Sequence, residues 1–258
     1  MATREPGWVP AGAWLAPGYA EWAPPAALRG AVACLWASVV PDGADRTTLV
    51  LPDGCSDLVW EQGIGSSVAG PDTGPARSVT RAGTVIVGVW FRPSAGGTAL
   101  GLPLSEIRDQ RVALADLLPA AARRLPAALS PAEAAARAVD IAGLLIVGAA
   151  PDHAATRAAL LLRDPAARTE DVAERVGLSD RQLRRRVHAA AGYGPKTLQR
   201  VLRFQRFVRM LDAAPARPPD LSIAAIQAGY ADQAHLTREC SALSGLTPAA
   251  LARVRRGA

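Results

Sequence analysis

The most restrictive feature of this 258-residue sequence is an internal repeat near its carboxyl end. The segment TEDVAERVGLSDRQLRRRVHAAAGYGP, residues 169–195, aligns with LSIAAIQAGYADQAHLTRECSALSGLTP, residues 221–248. Each copy contains a short helical pattern, a glycine-containing turn at Gly177 or Gly229, a second helical pattern and a glycine–proline ending. This is the pattern of a helix-turn-helix unit, so the chain is expected to build two such units.

The second helix of each copy separates an apolar face from a polar one. Asp180 aligns with Asp232 at the start of these helices, and one extra residue in the second copy shifts the later matches. Helical spacing predicts that six residues face the core: Leu183, Val187 and Ala190 in the first copy, and Leu236, Cys240 and Leu243 in the second. The opposite faces carry arginine, histidine, glutamine and threonine.

The polar faces are suited to reading bases in the major groove of DNA. Arginine can donate two hydrogen bonds to guanine, and glutamine can pair in the same way with adenine. An arginine-rich helix face is usually only solvated, but two copies at matched positions in a basic region favour DNA recognition. The candidate base-reading residues are Arg181, Arg184, Arg185, Gln233, His235, Thr237 and Arg238.

Charge divides the chain into two unequal halves. From residue 157 onward there are 18 Lys and Arg against 9 Asp and Glu, a balance of +9, whereas the earlier residues have a balance of −3. Binding to a polyanion requires such a basic region. Residues 195–211 predict a helix of roughly 25 Å. Adding half the width of each unit gives the separation of ~34 Å that two reading helices need to enter successive major grooves. Its candidate phosphate contacts are Lys196, Arg200, Arg203 and Arg206.

The first half has the pattern of a β-rich domain. Runs of β-branched and aromatic residues between 30 and 92 alternate with turn residues and predict a small antiparallel sheet or barrel. Short helices are predicted near 103–110 and 114–124. A capping-box pattern at Ser130 predicts a helix over 131–147. Its alanine-rich surface is a candidate contact with another helix, within the domain or in a second copy of the chain.

Tryptophan and cysteine also concentrate in the first half. All six tryptophans lie within the first 90 residues, where they are most often core residues, but they can also line a pocket for a planar or cationic ligand. The candidate effector pocket is Trp36, Trp60, Trp90, Asp57, Glu61 and Arg92. Three widely spaced cysteines fit neither a disulfide framework nor a zinc cluster, and Cys55 is the candidate reactive thiol.

Several functional classes are disfavoured by what the sequence lacks. No histidine precedes His153, so an imidazole-ligated metal site is not expected in the first half, nor is a Ser-His-Asp set. GGTALG at 96–101 lacks the lysine of a phosphate-binding loop. We expect no enzymatic activity, no cofactor and no metal. The sequence also lacks a signal-peptide pattern and a long apolar stretch, which predicts a cytoplasmic protein without a membrane partner.

The C-terminal pattern resembles the AraC/XylS family of transcription regulators. GYADQAHLTRECSALSGLTPAALARVR, from residue 229, is similar to the family signature Gly-aromatic-x-Asp-Gln-x-His-aromatic-x-Arg…Gly-x-Thr-Pro, and the likeness covers roughly 152–256. The resemblance implies two helix-turn-helix units joined by a long helix, with DNA read by the candidate residues above. The sequence departs from the family where Leu236, Cys240 and Leu243 replace bulky aromatic residues.

The N-terminal half is similar, more weakly, to effector-type domains of that family through LPDGCSDLVW at 51–60 and VAGP to GVWFRP at 68–93. This likeness implies that the domain senses a small molecule or mediates dimerisation. The partners implied are promoter or operator double-stranded DNA, a small-molecule effector, RNA polymerase and a second copy of the chain.

These patterns together predict an α+β protein. Residues 1–128 are expected to form the β-rich effector-sensing domain, 129–151 a linker or dimerisation helix, and 152–258 an all-α DNA-binding domain. The expected function is a sequence-specific transcription regulator that responds to an effector. Two alternatives stay open, namely a cysteine methyl acceptor for alkylated DNA fused to the same reader, and a nonspecific DNA-binding protein.

Overall fold

The computed structural model describes residues 18–150, 152–213 and 220–256. Trp8, Trp14 and the prolines within 214–219 lie outside the described residues. Strands dominate the first part of the chain and helices the second, which confirms the predicted α+β class. The strands are β1 (Gly18–Trp22), β2 (Val32–Val39), β3 (Arg46–Val50), β4 (Ser56–Glu61), β5 (Gly65–Ala69), β6 (Ala76–Thr80), β7 (Val85–Phe91) and β8 (Arg111–Ala113).

The strands form two antiparallel sheets. The larger sheet has six strands in the order β1-β2-β7-β4-β5-β8, and β3 pairs with β6 in a separate two-stranded sheet. Side chains on a strand alternate between the two faces of its sheet. One face of the larger sheet is apolar, because Leu35, Val89 and Leu58 stand opposite one another across three neighbouring strands and are buried.

Eleven α-helices lie within the described residues. They are α1 (Gly96–Leu100), α2 (Leu114–Leu117), α3 (Pro119–Arg124), α4 (Pro131–Val147), α5 (His153–Leu161), α6 (Thr169–Arg175), α7 (Asp180–Ala191), α8 (Pro195–Ala213), α9 (Leu221–Ala228), α10 (Gln233–Ser244) and α11 (Pro248–Arg256). In the region predicted as a helix near 103–110, the structure has a 3-10 turn at Leu104–Glu106.

Helix α4 begins and ends where the sequence predicts. The Ser130 hydroxyl accepts a hydrogen bond from the Glu133 backbone N–H, and the Glu133 carboxylate accepts one from the Ser130 backbone N–H. The alanine face of the helix, including Ala134 and Ala138, is buried against β7 and β4. Small side chains permit this close approach. Helix α4 is therefore part of the N-terminal core, and only its end exposes large apolar side chains, at Leu144 and Val147.

The C-terminal region contains two helix-turn-helix units, α6–α7 and α9–α10, and the 19-residue helix α8 runs between them. Helix α5 packs against the first unit, and α11 packs against α10 and α8. The two turns contain Gly177 and Gly229, both in the left-handed region at φ values of 69° and 92°. Gly192 and Gly245 end the second helices with φ values of 80° and 69°. Glycine adopts this conformation without the Cβ clash that other residues meet, so the glycines mark the turn and the helix end in both copies of the repeat.

The structure corrects one detail of the repeat alignment. Asp232 is the N-cap of α10, where its carboxylate accepts a hydrogen bond from the His235 backbone N–H at 2.6 Å. The N-cap of α7 is Ser179, whereas Asp180 is already the first helical residue. Asp232 therefore corresponds to Ser179 and not to Asp180. The extra residue of the second copy lies in its turn, which runs from Gly229 through the buried Tyr230 to the cap.

One hydrophobic core unites the two units. The six residues predicted to face inward, from Leu183 to Leu243, are all buried. Phe204 and Phe207 of α8 and Tyr230 of the second turn join the same core. The shared core thus contains aromatic side chains, although Leu236 and Cys240 stand in place of the aromatic residues of the family pattern.

The two domains touch through a turn of the N-terminal domain, residues 51–55. Leu51 packs against the C-terminal core, and the Gln205 side chain of α8 donates a hydrogen bond of 2.7 Å to the Pro52 carbonyl. An added Cβ at Gly54 would lie 3.1 Å from Leu198 Cδ1 and 3.3 Å from the Tyr193 hydroxyl. A second contact brings α1 against α7, where a Cβ on Gly97 would lie 2.9 Å from a backbone carbonyl oxygen.

Candidate nucleic-acid and effector sites

The polar face of α7 points away from the N-terminal domain. Arg181, Arg184 and Arg185 are exposed, as is His188. The neighbouring Arg186 lies on the other side of the helix, where its guanidinium contacts the Asp152 carboxylate at 3.1 Å. The structure therefore brings the three candidate base-reading arginines of the first unit onto one accessible surface.

Local interactions fix the start of α7 and one of its arginines. Ser179 and Gln182 form a capping box, in which the Ser179 backbone N–H donates to Gln182 Oε1 at 2.9 Å. Arg184 pairs with Asp180 one turn earlier, at 3.0 Å. An exposed pair of this kind contributes little stability, but it biases the direction of the guanidinium.

A basic concavity lies between α7 and the start of α8. Its volume is about 450 Å³, and its lining includes Arg184, Arg185, His188 and Lys196. The N-terminal turn of α8 adds backbone N–H groups without intrahelical partners and the positive end of the helix dipole. This combination favours a phosphate group. Lys196 is the exposed member of the predicted phosphate set.

The second reading face is divided into outward and inward residues. Gln233 and Arg238 are exposed, although Gln233 Oε1 accepts a hydrogen bond of 3.0 Å from the Ser222 hydroxyl. His235 is half-buried, with its ring edge against Tyr230 and its Nδ1 accepting a hydrogen bond from the Ala231 backbone N–H at 3.4 Å. The Thr237 hydroxyl donates to the Gln233 carbonyl within the helix at 2.8 Å. Gln233 and Arg238 are thus the more available of the four candidates.

Two arginines of α8, Arg200 and Arg203, contact the second helix-turn-helix unit. Arg200 binds the Glu239 carboxylate through two hydrogen bonds, of 2.7 and 3.1 Å, and the paired carboxylate raises the pKa of Arg200. The Arg203 guanidinium carbon lies 5.5 Å from the centre of the Tyr230 ring. Both contacts fasten α8 to the second unit. Glu239 is the one acidic residue of α10, and this was the sequence signal for an internal ion pair.

Arg206 belongs to a cluster of arginines near the other end of α8. Its guanidinium donates a hydrogen bond of 3.0 Å to the Arg163 carbonyl. The pKa of the exposed Arg209 is lowered by partial burial and then by the charges of Arg163 and Arg206. Three like charges held together attract an anion. Arg163 and Arg209 were not among the residues predicted from the sequence.

The predicted effector set divides between the two faces of the larger sheet. Trp60 lies on the core face, fully buried, and its indole N–H donates to the Pro126 carbonyl at 2.9 Å. Trp36, Asp57 and Trp90 lie on the other face of the sheet. Asp57 of β4 pairs with Trp90 of β7, and Trp36 of β2 pairs with Gly88, which is two residues from Trp90 and therefore on the same face. Trp60 is therefore separated from the other members of the set by the sheet itself.

Trp36 and Asp57 are joined across the central strand. The indole of Trp36 lies over Gly88, where an added Cβ would come within 2.3 Å of the ring, and its N–H donates to the Asp57 carboxylate at 3.0 Å. Glu61 is on the same face at the far end of β4, while the Arg92 side chain donates to the Arg29 carbonyl. The structure brings Trp36, Asp57 and Trp90 together and leaves Glu61 and Arg92 at the margins.

Two carboxyl groups of this region are unusually hard to ionise. Burial, followed by repulsion from Asp53, raises the pKa of Asp57 to about 8, although the Trp36 hydrogen bond and Arg111 oppose the rise. Burial, opposed by a hydrogen bond from the Cys55 backbone, raises the pKa of Asp53 to about 7, and the charge of Asp72 adds to the rise. Burial likewise raises the pKa of the Cys34 and Cys55 thiols. Such thiols are the opposite of activated nucleophiles.

A further cleft, which the sequence did not indicate, opens between the domains. It has a volume of about 600 Å³ and lies among α1, the end of α4 and α7. Leucine and alanine side chains dominate its lining, and the Arg186–Asp152 pair lies at its side.

Comparisons with known proteins match both halves of the chain. Residues 20–113 match the family described as "Domain of unknown function (DUF6597)", and residues 172–253 match the family described as "Helix-turn-helix domain". No curated protein matches the sequence of this chain. No helix within the described residues is both long and apolar enough to cross a membrane.

Among solved structures, the chain is similar to ToxT from Vibrio cholerae. One ToxT structure has 12% sequence identity and a TM-score of 0.45, covering 85% of this chain and 98% of that chain. ToxT bound to (E)-4-(8-methylnaphthalen-1-yl)but-3-enoic acid has 10% identity and a TM-score of 0.41, covering 93% and 96%. The family matches agree with the two glycine-capped units described above. The chain thus matches a helix-turn-helix domain family over residues 172–253, behind the match of residues 20–113 to the other family.

Proposed function

We propose that this protein is a sequence-specific DNA-binding transcription regulator whose N-terminal domain responds to a small molecule. The observation that carries the proposal is the pair of helices α7 and α10, each capped by a left-handed glycine and each exposing arginine on the side away from the core. In this proposal α8 holds the two helices apart so that both reach the major groove of one duplex.

The contacts divide into base reading and phosphate binding. Arg185 and Arg238 are exposed and occupy matched positions of the repeat, so we assign base reading to them first, with Arg181, Arg184 and Gln233 beside them. His235 and Thr237 join the reading face after a small side-chain movement. Lys196 and the α8 arginines bind phosphates, which supplies affinity without sequence choice.

Selection of binding sites from genomic fragments by the full-length protein tests this proposal. The selected sites should share a motif with two half-sites about one helical turn apart. Titration with random-sequence competitor at physiological salt should then show specific binding at least ~10³ times tighter than nonspecific binding. Fragments without a shared motif would contradict sequence-specific reading and favour a nonspecific DNA-binding protein.

Substitution within α7 provides a matched comparison. Arg185→Ala should cost roughly 1–3 kcal/mol on the selected site and relax the preference at one base position. Arg186→Ala is the control, because Arg186 lies on the other side of the same helix, where its guanidinium pairs with Asp152. Equal losses on specific and random DNA for Arg185→Ala would remove Arg185 from the reading face. Arg238→Ala should relax a different position by a similar amount.

The regulator is further proposed to act in the cytoplasm, to contact RNA polymerase and to form a homodimer. The exposed Leu144 and Val147 at the end of α4 are its proposed contact with a second copy. The methyl-acceptor alternative receives no support from the thiols, since burial raises the pKa of Cys34 and Cys55. Incubation with alkylated DNA, followed by mass spectrometry of both cysteines, decides that alternative.

A further inference from the structure

We infer that the sheet face beside the 51–55 turn binds a small organic ammonium ion that also carries an oxygen, as an amino alcohol does. The inference deepens the proposed function and rests on it in one respect, namely that this ligand is the effector. The site consists of Trp36, Trp90, Asp53 and Asp57, with Tyr193 of the C-terminal domain beside the turn.

Aromatic rings form the floor of the site. Trp36 and Trp90 lie on the same face of the sheet, and Tyr19 of β1 approaches Trp36 with ring centres 6.0 Å apart. Trp36, Trp90 and Asp57 are half-buried although they lie on central strands, so solvent reaches the middle of this face. Tryptophan attracts cations through the negative face of its ring.

Carboxyl groups outnumber guanidinium groups around the site. In addition to burial, the charge of Asp53 raises the pKa of Asp57, the charge of Glu21 raises that of Cys34, and the charge of Asp72 raises that of Asp53. The opposing guanidinium groups are Arg92 and Arg111, and Arg111 is already bound to Asp72 through two hydrogen bonds of 3.0 and 2.6 Å. Because burial holds a proton on Asp57, a cation placed beside its carboxyl group would favour the ionised form and bind to it.

Unpaired polar atoms supply an observation independent of the carboxylates. Tyr193 is only 2% exposed, yet its hydroxyl has no hydrogen-bond partner among the described residues. That hydroxyl lies at the 51–55 turn, 3.3 Å from the position of a Cβ on Gly54. The indole N–H of Trp90, which stands opposite Asp57, is also buried without a partner in the described chain. Buried polar atoms normally have partners, so these two indicate an occupant with an oxygen.

An organic cation suits the site better than a metal ion. Metal sites need several oxygen, nitrogen or sulfur ligands around one point. Among the residues that the structure describes, no three His, Cys, Asp or Glu side chains are arranged in this way. Two tryptophans and a carboxylate instead match the recognition of alkylated ammonium groups.

Choline and its neutral isostere 3,3-dimethylbutan-1-ol separate charge recognition from apolar binding. Both compounds are titrated into the full-length protein without DNA, with tryptophan fluorescence and calorimetry as the readouts. We expect saturable binding of choline at least tenfold tighter than that of the alcohol. No saturation by choline, or equal affinity for the two compounds, would overturn the inference.

Variants locate the binding on the sheet. Asp57→Asn keeps the size of the side chain and an acceptor for the Trp36 N–H, and it should weaken choline binding at least tenfold. Trp36→Phe should weaken it as well, and it serves as the test if Asp57→Asn lowers the melting temperature too far. Asp140→Asn on the exposed side of α4 is the matched control and should bind like the parent. Unchanged affinity in the folded site variants would place the ligand elsewhere and reject this site.

The same titrations distinguish the inference from the proposed function. Choline binding by a protein that selects no DNA motif would support the site and reject the regulator. Specific DNA binding without choline binding would support the regulator and reject the site. If both hold, choline should change the affinity for the selected DNA, because the 51–55 turn contacts α8.

Discussion

At the scale of single residues, Asp57 makes the stability of the folded protein depend on pH. Its raised pKa of about 8 means that the folded protein keeps a proton that the unfolded chain releases near the ordinary value of about 4. The stabilisation from this proton is complete below the unfolded pKa and is lost as the pH rises through about 8. Asp53, Asp72 and Arg111 are the charges that act on it.

The melting temperature should therefore fall between about pH 4 and pH 8 and level off above that range. Asp57→Asn, which cannot ionise, should make this decline shallower, and calorimetric scans across that range measure it. Asp140→Asn, whose carboxyl group is exposed on α4, should keep the slope of the parent. An identical decline in Asp57→Asn and the parent would show that Asp57 ionises normally.

Lys196 and Arg203 were predicted to serve the same purpose, but the structure places them differently. Lys196 is exposed beside the basic concavity, whereas Arg203 lies over the Tyr230 ring. Lys196→Ala should weaken binding to all DNA sequences alike and reduce the salt slope by about one unit without changing stability. Arg203→Ala should have the same effect on DNA and also lower the melting temperature. A sequence-dependent loss for Lys196→Ala would assign it to base reading instead.

At the scale of helices and strands, the first reading helix depends on its cap. Ser179→Ala removes the acceptor for the Gln182 backbone N–H and should cost about 1 kcal/mol of unfolding free energy. Urea denaturation measures the loss. Ser241→Ala is the control, because the Ser241 side chain is exposed on α10 and does not cap the start of a helix. Equal effects of the two substitutions would show that the capping box contributes nothing.

Helix boundaries were predictable because their causes are local in sequence. Ser130 with Glu133 predicts the start of α4, and the glycines of the repeat predict the ends of α7 and α10. The site of the extra residue in the second copy was not predictable in the same way. It depends on burial of Tyr230 in a core built largely by α8, which is a tertiary contact.

The arrangement of the candidate effector-pocket residues was only partly predictable from the sequence. Asp57 and Trp60 are three residues apart on β4, and an odd separation places two residues on opposite faces of a strand, so the sequence already contained the signal that separates Trp60. The approach of Trp36 to Asp57 was beyond the sequence, because β7 lies between their strands although it follows both in the chain. The lone acidic residue of α10 signalled an internal ion pair, but its pairing with Arg200 depends on how α8 packs against α10.

At the scale of the whole molecule, Gly192 connects the first unit to the N-terminal domain. A Cβ there would lie 2.3 Å from Pro71 Cγ and 3.3 Å from the Leu104 carbonyl oxygen, in addition to the cost of φ at 80°. Gly177 has a similar φ of 69° but nothing within 4 Å of an added Cβ among the described atoms. The pair therefore separates backbone strain from contact between domains.

Gly177→Ala should cost about 1–2 kcal/mol from backbone strain alone. Gly192→Ala should cost more and should also accelerate proteolytic cleavage between the domains, because it forces Pro71 away from α7. Urea denaturation and limited trypsin digestion provide the two measurements. Similar losses and similar digestion rates for both variants would indicate that the domains do not depend on this contact.

The 51–55 turn interacts with two parts of the molecule, since the Pro52 carbonyl accepts a hydrogen bond from α8 and the charge of Asp53 acts on Asp57 of the larger sheet. A mutation in this turn that changes ligand specificity will therefore also change its contact with α8, the helix between the two helix-turn-helix units. Each change of ligand specificity would then also alter how strongly the protein binds DNA without ligand, so the two properties would evolve together.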